Sequence, residues 1–374
     1  MATLPQYLVM RRCIIVTALV ASLVALSAAS AHAQAPNRPA PPKGAPSDFV
    51  GMVSEDTFAD AGAYRQAQFA TQASFGVRVL RQTFDWSQIE VAPGSYNFSV
   101  YDSFVGDAAR AGMTVLPILF RAPAFRARQS PTLAYPPTKY ADLGDFGAVV
   151  VKRYGPTGTF WSENPSVPKL PIKAMQLWNE PNLKAYWGGK PDAKQYTALL
   201  KAAYKPIKAA ARSTEIVTAG MPQSRIGVKL QKFIPAMYKA GAKKWFDTLA
   251  INPYGRTANA VIKNIQSVRD IMRQHHDGAR VWATELGWSD SGPSGPQRVG
   301  ARSQAAQIAK FVKLSVRKRR SLGLRGFVYY GWRDGQPYAG GKDFWGLHTG
   351  LLTVGGQPKP AYAAFQKAVA SVAG

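Results

Sequence analysis

The sequence is poor in cysteine and histidine, on which many enzyme mechanisms depend. Its 374 residues include one cysteine, Cys13, and four histidines. A single thiol forms no intramolecular disulfide, so a disulfide-bonded miniature fold is excluded. No Gly-x-Ser-x-Gly motif occurs, which argues against a serine hydrolase with a nucleophile elbow. No Gly-x-Gly-x-x-Gly sequence occurs either, so a dinucleotide-binding sheet would lack its phosphate loop.

Acidic residues are also scarce. The chain has 21 Asp and Glu against 47 Lys and Arg, a formal net charge of +26 at pH 7. Such an excess favours contact with polyanions, such as acidic polysaccharides, envelope polymers or nucleic acid, but it specifies no activity. The densest basic run, residues 310–320, has apolar residues at helical spacing between its charges. It predicts either an ordinary solvated helix face or a polyanion-binding surface.

Long hydrophobic runs are missing too. The apolar run near the amino terminus, residues 14–26, is 13 residues long, whereas a transmembrane helix needs roughly 20. Arg11 and Arg12 precede this run and Ala31-His32-Ala33 follows it, which is the arrangement of a cleavable export signal.

These features predict the organisation of the chain. We expect residues 1–33 to be a signal peptide, and the mature protein to be secreted or periplasmic without stable membrane insertion. Residues 34–46 are rich in proline and predict a linker. Residues 47–374 then form one large folded domain.

The sequence after the linker alternates between short β-rich and longer helix-like segments. The predicted strands are residues 49–53, 77–83, 114–119, 172–178, 215–219, 248–251, 280–283 and 326–330. The predicted helices include residues 99–111, 139–154, 193–212, 258–274, 303–320 and 361–372. Eight β/α alternations without a break in composition predict an α/β fold, a single (β/α)8 TIM barrel. A doubly wound open sheet is the alternative.

Two glutamates stand where such a barrel places its active site. Glu180 and Glu285, two of only six glutamates, directly follow the fourth and seventh apolar β-segments. A buried carboxylate without a partner is costly, so each position needs an explanation. In one explanation, Arg81 or Arg121 from a neighbouring strand end forms a structural ion pair. In the other, one protonated and one ionised carboxyl face each other across the barrel mouth, as glycoside hydrolysis requires.

The segments that carry these glutamates resemble known motifs. Leu177-Trp178-Asn179-Glu180-Pro181-Asn182 and Trp282-Ala283-Thr284-Glu285-Leu286-Gly287-Trp288 are similar to the paired motifs of glycoside hydrolase clan A, whose members are retaining glycosidases on TIM barrels. Residues 84–90 and 93–98 are similar to the second-strand segment of many members, and the resemblance extends from about Asp48 to the end. Within the clan the sequence looks closest to family 39, the β-xylosidases and exopolysaccharide hydrolases, with family 5 as the alternative.

The resemblance implies roles for five residues. Glu180 would be the general acid/base and Glu285 the nucleophile. Asn179 would form a hydrogen bond with the sugar hydroxyl next to the reacting carbon. Tyr254 and Arg81 would contact the nucleophile. Neither a metal ion nor an organic cofactor belongs to this mechanism.

Five further residues are candidates for substrate binding. Asn252 stands where many clan members have histidine, so its contact with substrate or with the acid/base is open. Trp332 looks like the sugar-stacking tryptophan of the clan, because an aromatic face fits the apolar face of a pyranose. Trp187 and Trp288 either line further sugar subsites or fix loops. Glu55 either binds substrate hydroxyls or caps the helix that follows it.

His275, His276 and Asp277 resemble a metal-binding cluster. They fall at a predicted helix-to-strand turn, which lies at the opposite end of the barrel from the active site. We therefore expect no metal ion.

These observations predict a secreted, retaining hydrolase that cleaves β-glycosidic bonds in an oligo- or polysaccharide, with no nucleic-acid partner. The alternative is a non-catalytic barrel of the cell envelope that binds polysaccharide or another polyanion. Arg121, Arg126 and Arg128 follow the third predicted strand and add the expectation of an anionic substrate. A plain basic surface loop would explain the same three arginines.

Overall fold

The computed structural model describes residues 45–60, 62–127, 134–224, 226–337 and 341–372. The predicted signal peptide, residues 1–33, and nearly all of the predicted linker lie outside the described residues. Within them, every helix is too short or too polar to cross a lipid bilayer.

Eight parallel strands form a closed barrel in the described part of the chain. They are β1 (Val50–Val53), β2 (Val79–Asp85), β3 (Thr114–Phe120), β4 (Ala174–Leu177), β5 (Glu215–Thr218), β6 (Thr248–Asn252), β7 (Arg280–Leu286) and β8 (Leu324–Tyr329). Each strand pairs with the next, and β8 closes the barrel on β1, where Phe327 lies opposite Val50. The predicted TIM barrel is therefore confirmed, and the open sheet is wrong.

A helix follows each strand on the outside of the barrel. The helices are α1 (Ala63–Ser74), α2 (Ser99–Arg110), α3 (Ala141–Tyr154), α4 (Ala193–Ala210), α5 (Leu230–Lys239), α6 (Ala258–Gln274), α7 (Ala301–Leu322) and α8 (Pro360–Val372). Local sequence signals determine where several helices begin or end. The Asp192 carboxylate accepts hydrogen bonds from the N–H groups of Lys194 and Gln195 in the first turn of α4, and Gly323 ends α7 with a φ of +59°. The basic residues 310–320 lie on the exposed side of α7, opposite its buried Phe311 and Val312.

Shorter elements decorate the connections. They comprise helices Glu55–Phe58, Trp86–Ile89, Thr159–Glu163 and Lys184–Trp187, 3₁₀ turns Ala242–Lys244 and Trp345–His348, hairpin strands Glu90–Ala92 and Ser95–Tyr96, and the two-residue strand Met221–Pro222. Most of them follow the carboxyl ends of strands, so they build up the rim of one barrel mouth.

Side chains fill the interior of the barrel and close its amino-terminal end. The inner cluster consists of Val79, Leu116, Ala174, Val217, Ala250 and Trp282. The Arg325 guanidinium covers the Trp282 ring, 4.6 Å from its centroid, and forms ion pairs with Asp48 and Glu215. The interior is therefore a packed core and not a pore, as in other TIM barrels.

The suspected metal cluster lies at the amino-terminal side, as its position in the sequence predicts. His275 and His276 follow the end of α6, and Asp277 accepts hydrogen bonds from Tyr238 and from the N–H of Ala279 just before β7. The described residues contain no group of three or more His, Cys, Asp or Glu side chains that could hold a metal ion.

Candidate active site

The turn after β4 presents Glu180 at the barrel mouth through a left-handed backbone. Trp178 has a φ of +75° and Glu180 a φ of +44°, values that cost free energy for residues with a Cβ atom. The buried Trp178 ring anchors the turn: its Nε1 donates to the Tyr186 carbonyl over 2.7 Å, and it packs edge-on against Phe120. Because Trp178 is held in the core, the next two residues, Asn179 and Glu180, are positioned at the mouth.

One buried arginine joins the two predicted motifs. The Arg81 side chain is 2% exposed, and its Nη1 forms an ion pair with Glu285. Its Nη2 donates to Asn179 Oδ1 over 3.1 Å, and its Nε donates to Gln176 Oε1 over 2.8 Å. A planar guanidinium with fixed donor directions can make all three contacts at once. Arg81 therefore fixes the position of Glu285 relative to the residue that precedes Glu180.

Tyr254 completes the surroundings of Glu285. Its hydroxyl donates to Glu285 Oε2 over 2.6 Å, while Arg81 contacts Oε1. Both carboxylate oxygens thus have a hydrogen-bond donor, and one donor is a cation. These are the two contacts that the clan resemblance implies.

Glu180 has different surroundings. Its Oε1 accepts a 2.8 Å hydrogen bond from Asn252 Nδ2, and the Asn252 Oδ1 accepts one from the Thr284 hydroxyl. Asn252 therefore does contact the predicted acid/base. Arg121, which the structural explanation offered as a partner, pairs with Asp85 instead.

The electrostatics of the two glutamates differ accordingly. Burial raises the pKa of Glu180 to about 8, and the negative charge of Glu285 is the second cause of the increase. The hydrogen bond from Asn252 has the opposite effect and lowers this pKa. Glu285 is held between a guanidinium and a phenol. One carboxyl is thus kept protonated at neutral pH while the other faces a fixed positive charge, the division between acid and nucleophile that glycoside hydrolysis uses.

Two supporting residues escaped the sequence interpretation. Gln176, inside β4, accepts from Arg81 and donates to the Thr218 carbonyl. Thr284, inside β7, orients Asn252. The available signal was a polar residue in the middle of an apolar strand, since a buried polar group needs a partner in the barrel.

Glu55 lines an open cleft at the same barrel mouth. The cleft has a volume of about 590 Å³ and is bordered by residues from the ends of β1, β2 and β3, including Glu55, Gln82, Asp85, Phe120 and Arg121. The Glu55 carboxylate accepts hydrogen bonds from the Thr83 N–H and from Gln82 Nε2. Its exposure and its place on the cleft favour substrate binding over the alternative of helix capping alone.

Three tryptophans predicted as candidates for sugar contacts are buried. Trp332 is 1% exposed, packs against Phe75 and Tyr362, and donates its Nε1 to Gln68. The prediction that Trp332 stacks on a sugar is therefore wrong, because the chain turns its side chain outward onto α1 and α8.

Trp187 and Trp288 fix loops. Trp288 donates to the Gly255 carbonyl and is fully buried beside Phe311. Trp187 is 4% exposed and packs against Trp178 and Tyr196. For both residues, the structure favours the loop-fixing alternative over direct stacking on sugar.

A different tryptophan lies beside the glutamates. Trp345, in the 3₁₀ turn after β8, is partly exposed, and its ring lies 4.8 Å from that of Tyr254 at 78°. Tyr254 in turn donates to Glu285. Sequence interpretation missed Trp345 because it belongs to a long loop without periodicity; the only signal was an aromatic pair, Phe344 and Trp345, in a turn-rich segment after the last strand.

The arginines after β3 are engaged in ion pairs. Arg126 is bound by the buried Glu90 and by Asp142. Arg121 is half-exposed beside the cleft but pairs with Asp85, and Arg128 lies outside the described residues. Arg126 is thus a structural residue, and the expectation of an anionic substrate, which stays a prediction, cannot rest on it.

Comparison with known proteins supports the fold. No family profile matches the sequence, and no curated protein matches it. Among solved structures, the chain is similar to a family 39 glycoside hydrolase from Bacteroides cellulosilyticus WH2, with 20% identity and a TM-score of 0.63 over 88% of this chain. The chain spans 64% of the length of that protein.

Two other solved structures give the same result. A family 39 β-xylosidase from Caulobacter crescentus has 20% identity and a TM-score of 0.61, covering 88% of this chain and 72% of its own. A glucosidase from Croceicoccus marinus has 15% identity and a TM-score of 0.65, covering 87% and 68%. The resemblance predicted from the two motifs is thus confirmed in the fold, which these proteins share with this chain.

Proposed function

We propose that this chain is a secreted, retaining β-glycosidase acting on an oligo- or polysaccharide, with Glu180 as general acid/base and Glu285 as nucleophile. The observation that carries the proposal is the contrast between a buried Glu180 with a raised pKa and a Glu285 held by Arg81 and Tyr254. The similarity in structure to a β-xylosidase supports a β-glycoside as substrate.

The first half of the reaction forms a covalent intermediate. The Glu285 carboxylate attacks the anomeric carbon while the C–O bond to the leaving group breaks, and Glu180 gives its proton to the departing oxygen. The Arg81 guanidinium keeps the Glu285 oxygen in place and balances its charge before attack. Asn179, held through its Oδ1 by Arg81, has its side-chain N–H groups available for a sugar hydroxyl.

The second half releases the sugar. Glu180, now a carboxylate, takes a proton from water, and the water oxygen displaces Glu285 from the anomeric carbon. Two inversions at that carbon give net retention. The Asn252 side chain, which donates to Glu180, favours the charged form needed in this step.

A panel of aryl β-glycosides tests the proposal. Xylosides and glucosides come first, and the anomer released is followed by NMR during the first minutes. Release of the β-anomer before mutarotation supports a retaining enzyme. A protein that binds polysaccharide but hydrolyses no aryl or natural glycoside would instead be the non-catalytic barrel, although sugar binding alone does not require Arg81 to hold Glu285 beside Tyr254.

The pH dependence should show the protonated acid. We expect kcat/KM on a substrate with a poor leaving group to fall as the pH rises through about 8, because Glu180 loses the proton that it must donate. The measurement is a kcat/KM profile from pH 5 to pH 10. Glu180→Gln, assayed with an activated aryl glycoside, should not show this decline. A wild-type profile that stays flat to pH 10 would contradict the assignment of Glu180 as general acid.

The two tryptophans after β8 should respond differently to substitution. Trp332→Ala should lower the free energy of unfolding by about 3–5 kcal/mol, the usual cost of removing a buried aromatic ring. Trp345→Ala should leave the urea midpoint close to wild type but reduce kcat/KM roughly tenfold, since a partly exposed ring outside the hydrophobic core contributes more to binding than to stability. The reverse pattern would restore Trp332 as the stacking residue.

A further inference from the structure

A second cavity lies on the same side of the barrel as the predicted acid/base. It has a volume of about 550 Å³ and is formed by the loop before α3 and by residues 187–195 before and within the start of α4. This volume is within the roughly 300–1,000 Å³ of small-molecule sites. The residues used below are Tyr135, Thr138, Tyr140, Trp187, Lys190 and Gln195.

We propose that this cavity binds the sugar units on the leaving-group side of the scissile bond, so that the substrate is an oligo- or polysaccharide with at least two sugars beyond the cleaved linkage. The inference rests on the proposed function and specifies its substrate.

The lining of the cavity has the composition of a sugar site. Tyr135 and Tyr140, both partly exposed, supply aromatic surface, which fits the apolar faces of pyranose rings. Thr138, Gln195 and Lys190 supply hydrogen-bond donors at the exposed rim. Lys190 forms no ion pair with any residue that the structure describes, so its ammonium group is available to a ligand.

The cavity wall is built by a close approach of two loops. Gly188 has a φ of +68°, and a Cβ atom at this position would lie only 1.9 Å from the Tyr135 ring. Glycine is therefore required for the Tyr135 ring to approach the chain that follows helix Lys184–Trp187 so closely. The two loops form one surface rather than two independent flaps.

Consecutive residues connect the cavity to the glutamates. Tyr186 packs against the Glu180 turn: its carbonyl accepts a hydrogen bond from Trp178 Nε1, and its ring lies 6.0 Å from that of Phe120. Burial raises the pKa of its phenol, and the charges of Glu180 and Glu285 raise it further. The next residue, Trp187, forms the cavity wall and also packs against Trp178, which anchors the Glu180 turn. The loop that follows β4 thus carries both Glu180 and one wall of the cavity.

The role of Glu180 decides which part of the substrate reaches this cavity. A general acid must lie within hydrogen-bond distance of the oxygen it protonates, and that oxygen belongs to the leaving group. The saccharide that continues from the oxygen therefore extends over the loop that carries the acid. The 590 Å³ cleft at the ends of β1 to β3 remains for the other side of the bond.

A length series tests the proposal. The substrates are β-1,4-linked xylo- or gluco-oligosaccharides of two to six units, labelled at the reducing end. The sugar is chosen as the one whose aryl glycoside is hydrolysed fastest. We expect kcat/KM to increase with length and the wild-type protein to leave at least two sugar units on the labelled end. The measured quantity is the kcat/KM on the longest substrate divided by the kcat/KM on the aryl glycoside. Tyr135→Ala and Gln195→Ala should each lower this ratio, and Tyr135→Ala should lower it roughly tenfold because it removes the aromatic ring.

Matched variants separate a subsite from a structural effect. Tyr135→Phe keeps the ring and should keep most of the ratio, and Lys190→Gln should lower it. Lys194→Gln, four residues further on and lining a different groove between α4 and α5, should leave it unchanged. Three results would overturn the proposal: a kcat/KM independent of substrate length, release of only a single labelled sugar, or an unchanged ratio in all cavity variants. The proposed function would still stand in each case if aryl glycosides are hydrolysed. No hydrolysis of any glycoside would overturn both.

Discussion

Glu285→Gln should lower kcat by about 10⁴-fold or more while leaving the fold intact, as the loss of a covalent nucleophile does in other hydrolases. Glutamine has the same shape, and its amide oxygen can still accept the hydrogen bond from Arg81, so the side chain should keep the position of Glu285. The amide is no longer a nucleophile toward the anomeric carbon. Substrate binding, measured by calorimetry, should persist in the inactive variant.

Trapping identifies the nucleophile directly. A 2-fluoro aryl glycoside of the preferred sugar should accumulate as a glycosyl ester, and peptide mass spectrometry should place the label on Glu285. Glu163→Gln is a matched control, because Glu163 is an exposed glutamate paired with Arg153 away from the barrel mouth, and its activity should equal wild type. A label on Glu55, or full activity in Glu285→Gln, would show that the nucleophile is another residue.

Glu180→Ala should affect substrates according to their leaving groups. Substrates with poor leaving groups need protonation and should be slowed by about 10²–10⁴-fold, the usual contribution of a general acid. Glycosides of acidic phenols need no proton, so their first step should be nearly normal. Their second step should be slow, because no base activates water, and the glycosyl-enzyme should accumulate as a burst of phenol.

Azide provides the decisive control for this variant. An anionic nucleophile needs no general base, so azide should restore turnover of the activated substrate and yield a β-glycosyl azide. Glu55→Ala should show no such rescue, because Glu55 lies in the cleft and not at the position of water attack in the proposed mechanism. Equal losses on both classes of substrate, with no effect of azide, would make Glu180 a structural residue.

The barrel could be predicted from the sequence because its signal is repeated eight times. Each apolar β-segment is short and each helix carries one apolar face, so the predicted bounds agree with the structure to within three residues. The positions of Glu180 and Glu285 follow from the same pattern, since carboxyl ends of parallel strands meet at one mouth.

The errors have a common physical origin. Trp332 stands at the eighth strand end and looks like the sugar-stacking tryptophan of the clan, which predicts a place at the mouth. In the structure its ring instead packs against Phe75 and Tyr362. The sequence likewise shows Arg126 as a charge but not its buried partner Glu90, which comes from another connection of the barrel. Local patterns predict elements, whereas side-chain partners come from contacts between distant segments.

The left-handed turn at Trp178 and Glu180 has a consequence for the history of such a molecule. A residue with a Cβ atom in this conformation costs roughly 1–2 kcal/mol, and glycine would remove most of that cost. Glycine at either position would forfeit the anchor or the proton donor. Selection for thermal stability alone would therefore favour glycine at these two positions, and only selection for catalytic turnover would preserve Trp178 and Glu180. In a lineage that stopped using its substrate, this strand end is where sequence drift should begin.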